Sequence, residues 1–160
     1  MEMTASAARG LSLRDLIVTT ARRIIVVFET YLAPLLDLTV RIWLARVFFL
    51  SGLTKIQSWD STLSLFENEY SVPFLPPELA AYMGTFTELF FPVLLVLGLG
   101  TRFAAGVLFV FNIIAVLSYP DLGEVGLKDH QYWGLLLLFP LLHGPGKIAI
   151  DHFIRRRFFR

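Results

Sequence analysis

Three polar side chains fall at similar depths within apolar stretches of the sequence, namely Arg46, Glu88 and Asn112. Arg46 follows Asp37 by nine residues, which is a helical rise of about 14 Å at roughly 1.5 Å per residue. Glu88 and Asn112 each come ten residues after a charged residue near the start of their own stretch. In a membrane protein this depth is close to the middle of a hydrocarbon core about 30 Å thick.

Arg46 and Glu88 carry opposite charges, and an unpaired charge at mid-membrane costs at least about 3 kcal/mol. We therefore expect the two side chains to face inward and pair. Pro92 cannot donate to the carbonyl of Glu88, so we expect a kink and a free backbone acceptor beside the acid. Together with Asn112, this cluster fits three roles: helix-to-helix glue, a site for a small quinone-like molecule, or a path for protons or ions.

Other reactive side chains form no comparable pattern. The sequence has no cysteine, which excludes thiolate catalysis and thiolate metal sites. His130 and His143 are thirteen residues apart, about 19 Å along one helix, and cannot ligate the same metal. No phosphate-binding glycine loop or nucleophile elbow occurs. We expect no catalytic residues, no metal site and no intrinsic cofactor, with a quinone or a lipid as the ligand classes left open.

The elements that must position these residues are long and apolar. Apolar residues make up 56% of the 160 residues and charged residues 17%, and the mean hydropathy is +0.66. A soluble globule of this size could not bury so much apolar surface. A net charge of +1 with 14% aromatic residues excludes nucleic-acid binding and intrinsic disorder.

We predict an all-α membrane protein with four transmembrane helices, preceded by an N-terminal amphipathic interfacial helix. The spans lie at about 38–56, 79–100, 103–120 and 130–146. Residues 1–35 are predicted as the cytoplasmic amphipathic helix, because apolar residues recur there at helical spacing. Residues 36–146 are predicted as the bundle and residues 147–160 as a basic cytoplasmic tail. An ordinary cytosolic helix packed on the bundle is the alternative for the N-terminal segment.

Basic residues predict the orientation, because they remain on the cytoplasmic side of short loops. Most fall on one side of the four predicted spans: Arg9, Arg14, Arg22, Arg23, Arg102, Lys147, Arg155, Arg156, Arg157 and Arg160. Only Lys55 and Lys128 fall on the other side. Both termini are therefore predicted to be cytoplasmic. Arg41 is four residues after Asp37, and we expect both to reach the cytoplasmic headgroups.

Three segments, RIWLARVFFLSGLTKI, TELFFPVLLVLGLGTR and HGPGKIAIDHF, carry a family resemblance. They resemble the bacterial DoxX family of four-helix inner-membrane proteins over roughly residues 36–152. The positions that match family motifs are Arg46, Gly52, Lys55, Glu88, Arg102 and Asp151. The N-terminal amphipathic helix is an addition to the family core.

The resemblance implies a multi-pass protein of the bacterial inner (cytoplasmic) membrane with an accessory role. Some relatives look like small subunits of quinone-linked thiosulfate oxidoreductases, and others are associated with superoxide dismutase and sulfurtransferase in membrane redox complexes. Others resemble membrane proteins encoded with enzymes that make copper-binding peptides. The expected partners are the lipid bilayer, other proteins of a membrane complex and, in a homo-oligomer, a second copy, but not nucleic acid.

Two hypotheses follow. In the first, the chain is a redox accessory subunit, not an enzyme on its own: Arg46 polarises a quinone-like carbonyl, Glu88 exchanges its proton and Asn112 orients it. In the second, it is a non-enzymatic membrane partner or a carrier for a small metabolite, peptide or metal complex.

Overall fold

A computed structural model describes residues 12–158, and within this range the chain is helical with no β-strand. The elements are α1 (Leu13–Val27), a π-helical segment (Phe28–Leu32), α2 (Ala33–Gln57), α3 (Trp59–Asn68), α4 (Pro77–Leu97), α5 (Thr101–Ser118), α6 (Gly123–His143) and α7 (Ile150–Phe158). The predicted all-α class is confirmed. Arg9 and Arg160, two of the residues used to predict the orientation, lie outside the described residues.

The chain divides into two compact units, and the boundary falls between Leu35 and Leu36. In the first unit, α1 begins with a capping box at Ser12. The Ser12 hydroxyl accepts from the Asp15 backbone N–H at 3.2 Å, and the Asp15 carboxylate accepts from the Ser12 backbone N–H at 3.1 Å. These bonds satisfy two backbone donors at the helix start. The interfacial location of this helix stays a prediction.

Within the described residues, α4 and α5 are the helices long and apolar enough to cross a membrane. α2 has 25 residues, but four charged side chains interrupt it: Asp37, Arg41, Arg46 and Lys55. α6 begins at Gly123, before the predicted span, and its first half is polar. The positions of the two middle spans agree with the sequence prediction, while the four-span arrangement remains a proposal.

The core of the second unit lies where α2, α4, α5 and α6 meet. Its buried apolar residues are Leu44, Phe48, Leu95, Ala104, Ala105, Leu108 and Leu137. The short helix α3 packs on the start of α4, where Phe66 is buried with Ala80 and Ala81. Alanines at these contacts let helices approach closely. The polar residues described next project from α2, α4 and α5 into this packed interior or onto its surface.

Candidate functional site

Glu88 is buried in α4 and forms an ion pair with Lys55, which lies near the end of α2. The Lys55 ammonium Nζ is 2.6 Å from Oε2 and 2.8 Å from Oε1 of Glu88. Nζ also donates to the Ser51 hydroxyl at 3.0 Å, and Ser51 donates to Oε1 at 3.0 Å. Glu88 is only 5% exposed. Its carboxylate is therefore satisfied by protein donors from a neighbouring helix.

Gly52 allows α2 and α4 to come together at this pair. A Cβ atom at Gly52 would lie 2.8 Å from Cδ2 of Leu89 and 3.0 Å from Cβ of Glu88. A larger residue would therefore push the helices apart. Gly52 and Lys55, which the sequence predicts to be family-motif positions, therefore lie at the same contact between α2 and α4.

Arg46 does not join Glu88, and the predicted Arg46–Glu88 pair is wrong. Arg46 is exposed, and it makes no hydrogen bond or ion pair that the structure shows to any residue in 12–158. The physical reason is helical geometry: nine residues at about 100° each place Arg46 and Lys55 on opposite sides of α2. The family-motif lysine, not the arginine, reaches the acid.

Arg46 instead lines an open groove between α2 and α4 with a volume of about 340 Å³. We call it the Arg46 groove. The residues that line it are Ile42, Ala45, Arg46, Phe49, Pro92, Val93, Val96 and Leu97. Apart from the guanidinium, every lining side chain is apolar.

Asn112 is also separate from Glu88 and pairs with His130 of α6. Asn112 Nδ2 donates to the His130 backbone carbonyl at 2.9 Å, and its Oδ1 lies 2.8 Å from His130 Nδ1. Because Oδ1 can only accept, Nδ1 is the donor in this contact. The expected three-residue cluster is therefore three separate sites.

Thr85 precedes Glu88 by three residues on α4, so the two side chains share one helix face. Thr85 is 5% exposed, and its hydroxyl has no hydrogen-bond partner. A buried hydroxyl without a partner costs about 1–3 kcal/mol. Within residues 12–158, the Ser118 hydroxyl is also buried without a partner.

Tyrosines lie at the end of the bundle nearest Lys55. The ring centroids of Tyr70 and Tyr119 are 4.9 Å apart, and the Tyr119 hydroxyl donates to Glu69 Oε2 at 3.3 Å. Burial raises the pKa of Tyr70, and the Glu69 carboxylate raises the pKa of Tyr119. Both phenols therefore stay protonated at neutral pH, and that of Tyr119 donates to Glu69.

Arg41 lies at the other end of α2 and is 1% exposed, so the expectation that it reaches the headgroups is wrong. Its guanidinium donates to the Leu95 carbonyl at 3.4 Å, to the Val96 carbonyl at 3.3 Å and to the Ile148 carbonyl. Gly98, with φ +68°, leaves room for it, because a Cβ there would lie 2.5 Å from Arg41 Nη1. The Leu95 and Val96 carbonyls lie in the last turn of α4, where backbone donors are scarce, although Leu95 also accepts from the Gly98 N–H at 3.2 Å.

Arg41's neighbour Asp37 is also buried, at 6% exposure, and its Oδ2 is 3.9 Å from His143 Nε2. The predicted position of Asp37 at the headgroups is therefore corrected as well. Asp37 and Arg41 are opposite charges one helix turn apart. Their burial is energetically acceptable because each side chain keeps polar neighbours inside the protein.

Asp151 and Arg102, which the sequence predicts to be family-motif positions, make hydrogen bonds at the same end of the bundle. Asp151 accepts from the backbone N–H groups of Gly100 and Thr101, both at 2.8 Å, and from the Thr101 hydroxyl at 2.9 Å. It therefore caps the start of α5 from a distant part of the chain. Arg102 Nη2 donates to the Leu142 carbonyl at 3.3 Å. Both roles tie helices together.

Among residues 12–158, no three His, Cys, Asp or Glu side chains are grouped to hold a metal ion. The polar site with the most concentrated chemistry is therefore the Lys55–Glu88 pair with Ser51, and Thr85 nearby on the Glu88 face.

The comparisons with known proteins cover the bundle that carries this pair. The DoxX family model matches residues 36–120. An uncharacterized protein of Haemophilus influenzae is 31% identical over 128 residues, covering 74% of this chain and 83% of that protein. No solved structure matches the chain.

Proposed function

Because this chain belongs to the DoxX family of membrane proteins, we propose that it is an accessory subunit of a membrane redox system that binds a quinone-like ligand at the Lys55–Glu88 pair. One observation supports the proposal. Glu88 is only 5% exposed, and the Lys55 ammonium Nζ lies 2.6 Å from its Oε2 where α2 contacts α4. Replacing a buried ion pair by packed apolar residues is often neutral or stabilising. A pair kept at such a position is a candidate for function.

Each residue of the pair supplies a distinct contact to the ligand. The Lys55 side chain is 18% exposed, so its ammonium is the member that an incoming carbonyl oxygen reaches. Glu88 accepts or returns a proton at that oxygen. The unpartnered Thr85 hydroxyl adds a donor or an acceptor on the same face of α4. The two-electron chemistry belongs to the ligand and to a partner protein.

The proposal includes four membrane spans, with α2 and α6 joining α4 and α5, and both termini in the cytoplasm. The internal hydrogen bonds and ion pairs of Arg41 and Lys55 support placing α2 in the bilayer. The distribution of basic residues supports the orientation. The inner membrane of a bacterium is the proposed location.

The test is to purify the full chain in mild detergent, extract small molecules and identify quinones by mass spectrometry. We expect quinone to co-purify with the wild type and to fall at least about tenfold in Lys55→Met/Glu88→Gln, which corresponds to about 1.4 kcal/mol of lost affinity. The double variant removes both charges, so neither is left buried and unpaired.

The matched control is Glu124→Gln, an exposed acid at the start of α6, which we expect to leave the quinone content unchanged. Circular dichroism and size-exclusion chromatography check that each variant is folded. A folded double variant that retains quinone, or a wild type without it, would leave the pair with a structural role only.

A further inference from the structure

We propose that the Arg46 groove is the docking site for a transmembrane helix of a different membrane protein, which places a carboxylate against the Arg46 guanidinium. This inference uses the membrane placement of α2 and α4 from the proposed function. It does not depend on a ligand at the Lys55–Glu88 pair, because Lys55 projects from the opposite side of α2.

The first argument is that the Arg46 guanidinium has no partner of opposite charge within residues 12–158. Arg41 and Lys55, the other cations of α2, donate to partners within the bundle. Arg46 is exposed and has no such contact with any residue in 12–158. An unpaired guanidinium in the bilayer costs at least about 3 kcal/mol. A partner that brings a negative charge removes this cost.

The second argument is depth. Arg46 lies nine residues from Asp37 and nine from Lys55, which is about 14 Å of helix in either direction. Across the groove, Arg46 faces the last part of α4, from Pro92 to Leu97, so a lipid phosphate is the competing anion, but only a helix would also fill the apolar walls. A carboxylate carried into the bilayer on a helix reaches this level directly.

The third argument is the groove itself. Its walls are the side chains of Ile42, Phe49, Val93 and Val96, and buried Ala45 lies in its floor. Small residues let a second helix approach, and apolar walls suit its neighbouring side chains. A neutral quinone would fill the space without compensating the charge.

The acids of this chain argue against a second copy as the occupant. Glu88 is held by Lys55 and Ser51, and Asp37 is buried in its own unit beside His143. A homodimer that used either of these two acids at the Arg46 groove would have to break its present arrangement. A different protein with an acid in its membrane helix meets no such cost.

The test in cells places a photoreactive p-benzoylphenylalanine at Val96, a wall of the groove, in the otherwise intact chain. Val110, which is exposed on α5, receives the same residue as a control. We expect Val96 to cross-link to a protein whose membrane segment carries Asp or Glu, and Arg46→Leu to reduce the yield about tenfold or more. Arg46→Lys keeps the charge and should retain part of the yield.

A defined probe completes the test in phosphatidylcholine vesicles. The full chain is reconstituted with a labelled polyleucine helix that has one central Glu, or with the same helix lacking it, and association is followed by energy transfer. We expect the Glu helix to associate more tightly with the wild type than with Arg46→Leu, and the plain helix to show no difference. Cross-links only to lipid or to a second copy, or association independent of Arg46, would overturn the proposal while leaving the quinone test unaffected.

Discussion

Arg41 combines a full charge with near-complete burial, and its partners are carbonyls at the end of α4 and before α7. Replacing Arg41 by Met would leave the Leu95, Val96 and Ile148 carbonyls without this donor and would leave Asp37 without a nearby cation. We expect a loss of about 3–5 kcal/mol in the free energy of unfolding, the usual cost of removing one partner from a buried charged network. Unfolding in mixed detergent, followed by circular dichroism, measures it.

Arg46→Leu is the matched control, because it removes the same charge from the same helix at an exposed position. Without a partner to lose, this variant should show no loss of stability. Equal losses for the two variants would mean that the contacts of Arg41 contribute nothing beyond its side-chain volume.

The sequence predicted neither the common level nor the direction of the polar residues, because Glu88 lies beside Ser51 and Lys55, farther along α2 than Arg46. Counting residues predicted that Arg46 and Glu88 lie deep in their stretches. Arg46 and Lys55 project from opposite sides of α2, however, and this direction decides which cation reaches the acid. Ser51 and Lys55, one turn apart, offered a usable pattern: two donors on one face of α2. The bond between Asn112 and His130 had no such local pattern, because it joins residues from two helices.

Asp151 acts at the N-terminal end of α5. Asp151→Asn keeps the size of the side chain but replaces one of the two oxygens that accept from Gly100 and Thr101. We expect a loss of about 0.5–2 kcal/mol, the range for N-cap residues. Hydrogen exchange of the full chain should be faster in the first turn of α5 and unchanged in α3.

Asp121→Asn is the control, since Asp121 is exposed between α5 and α6. If the amide hydrogens at the start of α5 exchange at the same rate in both variants, the Asp151 cap does not stabilise that helix end.

Apolar runs predict helices well where few charged residues interrupt them, as α4 and α5 illustrate. The start of α6 was predicted too late, because its first turns are polar while the hydropathy pattern follows only the apolar part. The role of Asp151 was not predictable, because the N-terminus it caps precedes it by 50 residues. A contact over such a distance leaves no periodicity in the sequence.

The orientation of the whole molecule can be tested with single cysteines, because the chain has none of its own. Ser64→Cys lies in α3 and Leu99→Cys between α4 and α5, and both positions are exposed. For a protein with cytoplasmic termini, a membrane-impermeant maleimide should label Ser64→Cys in intact cells. It should label Leu99→Cys only after permeabilisation. The reverse pattern would reject the proposed orientation.

For the whole molecule, composition was enough to predict a helical membrane protein, and the family followed from three short segments. Partners and oligomeric state were not predictable, because an interface such as the one proposed at Arg46 depends on the chemistry of another chain.

The hydrogen bond between Arg41 and the Ile148 carbonyl can form only late in biosynthesis. The two residues are 107 positions apart, so α2 leaves the ribosome long before its carbonyl partner has been translated. Until then, Arg41 has to be accommodated by water or by the insertion machinery. The contacts at this end of the bundle can therefore be completed only after the segment carrying Ile148 and Asp151 has been translated.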